Sequence, residues 1–452
     1  MKNINFSVVN KNQIKSFKKV IQVDSDKSIS IRSFLIASIS ENISEIINVL
    51  ESEDVFSCIN VLKKLGVKIK KIKEKQYIVY GKGLGSLISP KNSVLNCGNS
   101  GTLLRLLIGI LSTTPKINVK ITGDKSLKKR NMQSLIKLMK EFGADFLPKN
   151  KFTLPFKVIS SDIPLAINYD AGSSAQLKSA VILAALNAYG ITTINEKIAS
   201  RDHTENILKK NNKAFILKKT NKKHNTIKVF GKSNLSALKL RVPGDPSSAA
   251  FITALTLLNK NSSVKLKNIG LNKRRMGFYN ILKNHGAKIK FINFKKENNE
   301  IIGDILVKSS KVKPLKVSAN YYASSTDEYP IMFAISALLP GVSTFSGIKD
   351  LANKESNRII EMKKILNQIG IKCISNNDKF KIFGLKKMLE KKNKIFVPNL
   401  GDHRICMSAM ILSLLTGIKA NISNFETVRT SSPSFLKILK SLGAKFEIQK
   451  KF

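Results

Sequence analysis

The chain has 452 residues and 78 Lys plus Arg against 30 Asp plus Glu, a formal net charge of +48. That length exceeds one ordinary hydrophobic core, so at least two domains are expected, and 42% hydrophobic with 24% charged residues is the balance of a soluble globular protein. The charge favours anionic partners, but the lysines are spread along the whole chain beside Asn and Ile, with no RNP-type aromatic motif or Cys/His finger, so nucleic acid is not the expected partner.

The opening stretch "MKNINFSVVNKNQIKSFKK" lacks the apolar centre of a signal peptide, and runs such as "AVILAALNAYG" and "IMFAISALLPG" are too short to span a bilayer. No membrane partner and a cytoplasmic location are expected. Cys58, Cys97, Cys373 and Cys406 show no CxxC spacing, and the histidines form no HxxxH or HExxH pattern, so no disulfide framework and no metal site is expected.

The first predicted helix opens at Asp26, in "DKSISIRSFLIASI", and is apolar on almost every face. An amphipathic helix follows in "NVLKKLGVKIK", stops at Gly66 and passes into an alternating strand. The pair then returns: "GNSGTLLRLLIGIL" from Gly98 and "LIKLMKEFGADF" stopping at Gly143, then "SSAQLKSAVILAAL" from Ser173 and "NILKKNNKAFIL" stopping at Asn212. Three further copies start near Asp245 ("DPSSAAFITALTLL"), Asp327 ("DEYPIMFAISALL") and Asp402 ("DHRICMSAMILSLL"), with stops at Gly286, Gly370 and Gly443. Both series repeat every 70 to 85 residues or so. Glycine accepts positive φ at a helix end, and Asn is the next most tolerant residue, so Asn212 is expected to fill the same slot.

Six such units with strands predict two globular clusters of three rather than a solenoid, and "LKLRVPGDPSS" at 238–248 is the candidate hinge. Each all-apolar helix should be buried, with a polar N-terminus whose free N–H groups suit an anion. In "NCGNSGTLLRLLIG" the single Arg105, one turn inside the helix, can lie over such an end.

The strings "DKSISIR", "ESEDV", "GNSGTLLRL", "SSAQLKSA", "SRDHTEN", "VPGDPSSAAF", "DEYP", "NKESNR" and "GDHRICMS", in this order along essentially the whole chain, resemble the 5-enolpyruvylshikimate-3-phosphate synthase family of enolpyruvyl transferases. The resemblance implies an α/β fold of two domains, each of three βαβαββ units, closing around the substrates across an interdomain cleft. One lobe would span 24–241, and 1–23 with 242–452 would form the other. It also implies a monomeric transferase without cofactor that moves the enolpyruvyl group of phosphoenolpyruvate to the 5-hydroxyl of shikimate 3-phosphate and releases phosphate by addition and elimination.

Carried over motif by motif, Lys27 lies between the two substrates. Ser28, Arg32, Ser174, Ala175, Gln176, Ser200, Arg201, Asp327 and Lys354 belong to shikimate 3-phosphate. Asn99, Gly101, Thr102, Arg105, Arg130, Gln176, Arg358 and Arg404 belong to phosphoenolpyruvate. Asp327 is the candidate base for the hydroxyl, and Glu355 or Lys27 the acid at the methylene carbon; neighbouring cations lower a carboxylate's pKa, so acid work by Glu355 needs local compensation. His403 and Thr430 are possible further members, while His203 is read as structural. Gly101 keeps the phosphoenolpyruvate pocket open, which implies sensitivity to glyphosate.

Several positions depart from the family pattern. "VDSDKS" stands for a usual Pro-Gly turn, Leu106 for a common proline, Ala352 and Asn357 for an Arg and an Asp, and Thr430 for a lysine that some relatives carry. The sister transferase acting on UDP-N-acetylglucosamine is the nearest alternative, but its mobile-loop cysteine has no counterpart, since Cys97 directly precedes "GNSGT". A basic nucleic-acid-binding protein without catalysis is the other; the retained Lys27, Asp327 and Glu355 argue against it.

Overall fold

The repeat of two helices and several strands takes the form of six four-stranded sheets in a computed structural model of the chain, which describes residues 5–89, 94–219, 225–385 and 393–450. The second repeat shows the plan. Strand Val94–Asn96 leads into helix Gly101–Thr113 and then to strand Asn118–Thr122, parallel to the first. Helix Gln133–Glu141 follows, and strands Asp145–Leu147 and Phe156–Ile159 close the sheet as an antiparallel hairpin. Each repeat is thus βαβαββ, with a right-handed crossover expected for its parallel pair.

Two sheets borrow their first strand. Strand Lys239–Arg241 pairs in parallel with Ile43–Ile47, and strand Lys18–Ile21 with Ser263–Gly270, so each segment completes a sheet remote from it in sequence. The strand Phe6–Asn10 joins the last sheet, antiparallel to Lys419–Ile422 and Phe446–Lys450. By contacts the chain divides into one unit of Met1–Asp24, Pro243–Lys295 and Ile301–Phe452, and another of Ser25–Val242 and Lys296–Glu300. Each has its own apolar core.

The apolar helices are buried as their composition demands. All residues of Pro246–Leu258 but the last are buried, and in Gly101–Thr113 only Arg105 is not. Their starts are capped as the sequence predicts: Asp26, Ser100, Ser174, Asp245 and Asp402 each accept a backbone N–H of their own first turn. The fifth differs, since helix Tyr329–Ala337 starts two residues past Asp327 and has no side-chain cap.

Gly66, Gly143, Gly286, Gly370 and Gly443 end the amphipathic helices with φ of 88°, 89°, 97°, 82° and 94°. Asn212 does not join them. The helix there ends at Leu208, and Asn211 rather than Asn212 organises the turn, its Oδ1 accepting the N–H of Ser236. A second repeat mark was not foreseen: Gly81, Gly231 and Gly384, at the ends of hairpin strands, leave no room for a Cβ against the carbonyl oxygens of Ser40, Ala188 and Leu339.

Candidate functional site

In the unit Ser25–Val242 the starts of three buried helices carry the predicted binding residues. Helix Lys27–Ile39 opens with Lys27, whose Nζ lies 2.9 Å from Oδ2 of the buried Asp54. Asp54 stands in the first turn of helix Glu53–Lys64, where a negative charge suits the helix dipole. Arg32, one turn further, is buried; it donates to Thr204 Oγ1 at 2.9 Å, Ser179 Oγ at 3.2 Å and the Ser28 carbonyl at 3.1 Å. Two of the predicted shikimate 3-phosphate segments, "DKSISIR" and "SRDHTEN", are therefore joined by Arg32 and Thr204.

At the second helix start, Asn99 is held between Asp124, which accepts its Nδ2 at 2.6 Å, and Arg130, which donates to its Oδ1 at 3.0 Å. Arg105 folds back one turn to donate to the Gly101 carbonyl at 3.2 Å. The Nη1 atoms of Arg105 and Arg130 each lie 2.8 Å from where a Cβ on Gly101 would sit, so two guanidinium groups meet over a residue with no side chain. Two planar donors beside a helix N-terminus are chemistry that suits an anion. Thr102 accepts from Gln176 Nε2 at 3.0 Å, linking this helix to the third, Ala175–Ala185, which Ser174 caps. Ser200 is buried and donates its N–H and Oγ to Glu196; Arg201 beside it is half-buried. His203 is buried against Glu300 at 2.7 Å, in keeping with a structural part.

In the other unit Arg358 is the centre. It is 1% exposed, donates Nε to Asp402 Oδ2 at 2.9 Å and Nη2 to Glu355 Oε2 at 2.5 Å, and has Nη1 3.9 Å from Asp327 Oδ1. Burial alone would lower its pKa; the carboxylates of Asp402, Glu355 and Asp327 more than reverse this and raise it. The two candidate proton carriers thus share one buried cation. Arg404 completes the set, with Nε 3.6 Å from Asp327 Oδ1 and Nη1 donating to the Asp327 carbonyl at 3.1 Å. Asp402 is fully buried, caps its own helix through the Arg404 N–H and accepts Ser356 Oγ at 3.0 Å. Removing its charge would leave the buried Arg358 with Glu355 and Asp327 as its remaining anions.

Asn357, where the family pattern has Asp, caps helix Arg358–Gln368 by accepting the Ile360 N–H, so the departure keeps the local turn. Lys354 is half-buried beside Glu355, and His403 is buried at the start of the last apolar helix. Thr430 is buried with its hydroxyl donated to the Thr427 carbonyl of its own turn. Arg429 lies 5.1 Å above the Phe6 ring. Among the described residues no three His, Cys, Asp or Glu side chains are grouped to hold a metal ion, and no helix is long and apolar enough to cross a membrane.

Comparison with known proteins identifies the family. Residues 11–439 match the family model described as EPSP synthase (3-phosphoshikimate 1-carboxyvinyltransferase). The 3-phosphoshikimate 1-carboxyvinyltransferase of Petrotoga mobilis is 38% identical over 425 residues, covering 93% of this chain and 96% of the relative. The chain belongs to the EPSP synthase family. The transferase of the same name from Caldicellulosiruptor saccharolyticus is 39% identical over 422 residues, covering 93% of this chain and 95% of the relative. Among solved structures, EPSP synthase from Acinetobacter baumannii superposes with a TM-score of 0.83 at 32% identity, over 98% of this chain and all of the other. The enolpyruvyl transferase NikO from Streptomyces tendae shares the fold, with a TM-score of 0.77 at 10% identity over 99% and 100% of the two chains.

Several site residues of this EPSP synthase family member escaped the sequence. Asp54 sits inside "ESEDV", a string that carried the resemblance but no role. Asp124 and Asp402 hold residues that the motifs do name, Asn99 and Arg358. The signal was an acidic residue at a helix start in a chain where acids are outnumbered by 78 to 30. Sequence alone does not say which cation each acid meets.

Proposed function

We propose that the chain transfers the enolpyruvyl group of phosphoenolpyruvate to the 5-hydroxyl of shikimate 3-phosphate, giving 5-enolpyruvylshikimate 3-phosphate and phosphate. Family membership over nearly the whole length supports this reading. The observation that carries the chemistry is Arg358, with Asp327 and Glu355 on one guanidinium. Asp327 takes the proton of the 5-hydroxyl as its oxygen bonds to C2 of phosphoenolpyruvate, and Glu355 or Lys27 delivers a proton to the methylene carbon. The tetrahedral adduct then loses a proton from the new methyl group and expels phosphate, restoring the double bond. Arg358 supplies fixed positive charge at the carboxylates throughout, without reorganising.

Anionic groups of the substrates are held in this reading by Lys27, Ser28, Arg32, Ser174, Ala175, Gln176, Ser200, Arg201 and Lys354 for shikimate 3-phosphate. Asn99, Gly101, Thr102, Arg105, Arg130, Gln176, Arg358 and Arg404 hold phosphoenolpyruvate. The reading further takes the chain as a cytoplasmic monomer that needs no cofactor, and glyphosate as an inhibitor competing with phosphoenolpyruvate. The test is phosphate release by the purified chain. It should require both substrates, fail when UDP-N-acetylglucosamine replaces shikimate 3-phosphate, and drop by about a thousandfold or more in Asp327→Ala and Glu355→Ala. Release without shikimate 3-phosphate, or undiminished release by both variants, would overturn it.

A further inference from the structure

Lys178 has no part in the chemistry above, yet it is fully buried, one turn into helix Ala175–Ala185. A buried ammonium is costly unless it is paired, and this one is paired twice: Nζ lies 2.5 Å from Glu196 Oε1 and 2.6 Å from Glu205 Oε1. Both carboxylates are buried too. One cation thus faces two anions, and Oε2 of Glu205 is buried without a hydrogen-bond partner. Replacing such a buried ionic group by apolar side chains of similar volume is often neutral or stabilising, so fold stability alone is a weak reason for it.

What the group touches suggests its purpose. Glu196 Oε1 also accepts the N–H of Ser200 at 3.0 Å and its Oγ at 3.2 Å, and Oε2 accepts Asn225 Nδ2 at 2.8 Å. Glu205 follows Thr204, whose hydroxyl accepts from Arg32 and donates to Ser179 at 2.8 Å. Ser179 follows Lys178, three residues past Gln176. The three segments assigned to shikimate 3-phosphate, at Ser28 and Arg32, at Ser174–Gln176 and at Ser200–Arg201, are thereby tied to one buried core.

We propose that Lys178, with Glu196 and Glu205, is a positioning residue that sets the shikimate 3-phosphate seat by fixing Ser200, Arg201 and the start of helix Ala175–Ala185 relative to Arg32. The proposal rests on the functional reading above. None of the three side chains touches substrate; they act through residues that do. Their loss therefore weighs more on shikimate 3-phosphate than on phosphoenolpyruvate, which shares Gln176 with this helix start through Thr102 but otherwise draws on Asn99, Arg105 and Arg130 at another.

Two variants test this. Lys178→Met removes the cation at similar length, and Lys178→Met with Glu205→Gln keeps the group's net charge at minus one while removing the bridge, so the fold is preserved if charge balance is what it needs. Shikimate 3-phosphate affinity by calorimetry, both KM values by phosphate release and the melting temperature are read for each. The expected result is a rise of roughly tenfold or more in Kd and KM for shikimate 3-phosphate, with a rise in KM for phosphoenolpyruvate that is severalfold smaller. A folded double variant with unchanged shikimate 3-phosphate affinity would overturn the proposal. So would an equal rise in both KM values, or a lowered melting temperature with both KM values intact, since each marks a merely structural role. If the double variant does not fold, the group is a folding element and the proposal falls. A wild-type chain that neither binds nor consumes shikimate 3-phosphate would instead sink the functional reading itself.

Discussion

Gly101 offers the sharpest test of the anion seat. Its backbone is ordinary, so Gly101→Ala brings no dihedral strain, and in the first position of a helix alanine is favoured over glycine by at most about 1 kcal/mol. The new Cβ would lie 2.8 Å from Nη1 of both Arg105 and Arg130, where an ordinary contact needs about 0.6 Å more. Both guanidinium groups are ends of flexible side chains and can retreat, so the fold survives. The retreat stretches a charge-assisted hydrogen bond of about 2.8 Å beyond its useful range. Such a bond is worth about 1.5–3 kcal/mol, and every 1.4 kcal/mol or so is tenfold in affinity. The variant should therefore melt within a few degrees of wild type while its KM for phosphoenolpyruvate rises about 10- to 100-fold and its KM for shikimate 3-phosphate stays put. Steady-state phosphate release with each substrate varied in turn reads both. An unchanged KM for phosphoenolpyruvate in a folded variant would refute the seat.

Burial raises the pKa of all four thiols, with Cys97 pushed up to about 12 by burial and by Asp54, and Cys373 to about 12 by burial. A native chain treated with a maleimide at pH 8 should therefore keep its activity and stay unlabelled, while the urea-unfolded chain labels at once; rapid labelling of the native chain would contradict this. Asp304 concerns stability. Burial raises its pKa, but the Asn268 N–H at 2.9 Å, Asn293 at 2.8 Å and Lys265 at 3.2 Å lower it further, to a net value below that of a free carboxylate. A depressed folded pKa contributes stability above the unfolded value near 4, lost as pH falls through the folded one. Asp304→Asn should cost about 1–2 kcal/mol in urea unfolding at pH 7, and the gap from wild type should shrink toward pH 3. An equal gap at both pH values would contradict the assignment.

Much of the architecture is legible because the signals are local. A helix that ends in Gly at positive φ announces itself, as at Gly66 and Gly443. So does an apolar helix behind a capping Asp or Ser. Asn212 misled because Asn tolerates the left-handed region without requiring it, and the buried Asn211 bonding to Ser236 decided the turn instead. The glycines at 81, 231 and 384 went unread because their need is a carbonyl oxygen some 40 residues away in sequence, which no local pattern encodes. The cations of the site stood out in their motifs; their acidic holders did not. Asp54 with Lys27, and Asp402 with Arg358, are pairings across 27 and 44 residues that only folding brings about.

The central claim is that Arg130 and Arg404 both serve phosphoenolpyruvate in the proposed reaction, and phosphoenolpyruvate binding tests it most directly. Arg130 belongs to the unit Ser25–Val242 and Arg404 to the other. In phosphate-release kinetics, Arg130→Met and Arg404→Met should each raise KM for phosphoenolpyruvate by roughly tenfold or more and leave KM for shikimate 3-phosphate within about twofold. A folded variant in either unit that keeps the wild-type KM for phosphoenolpyruvate would contradict the account.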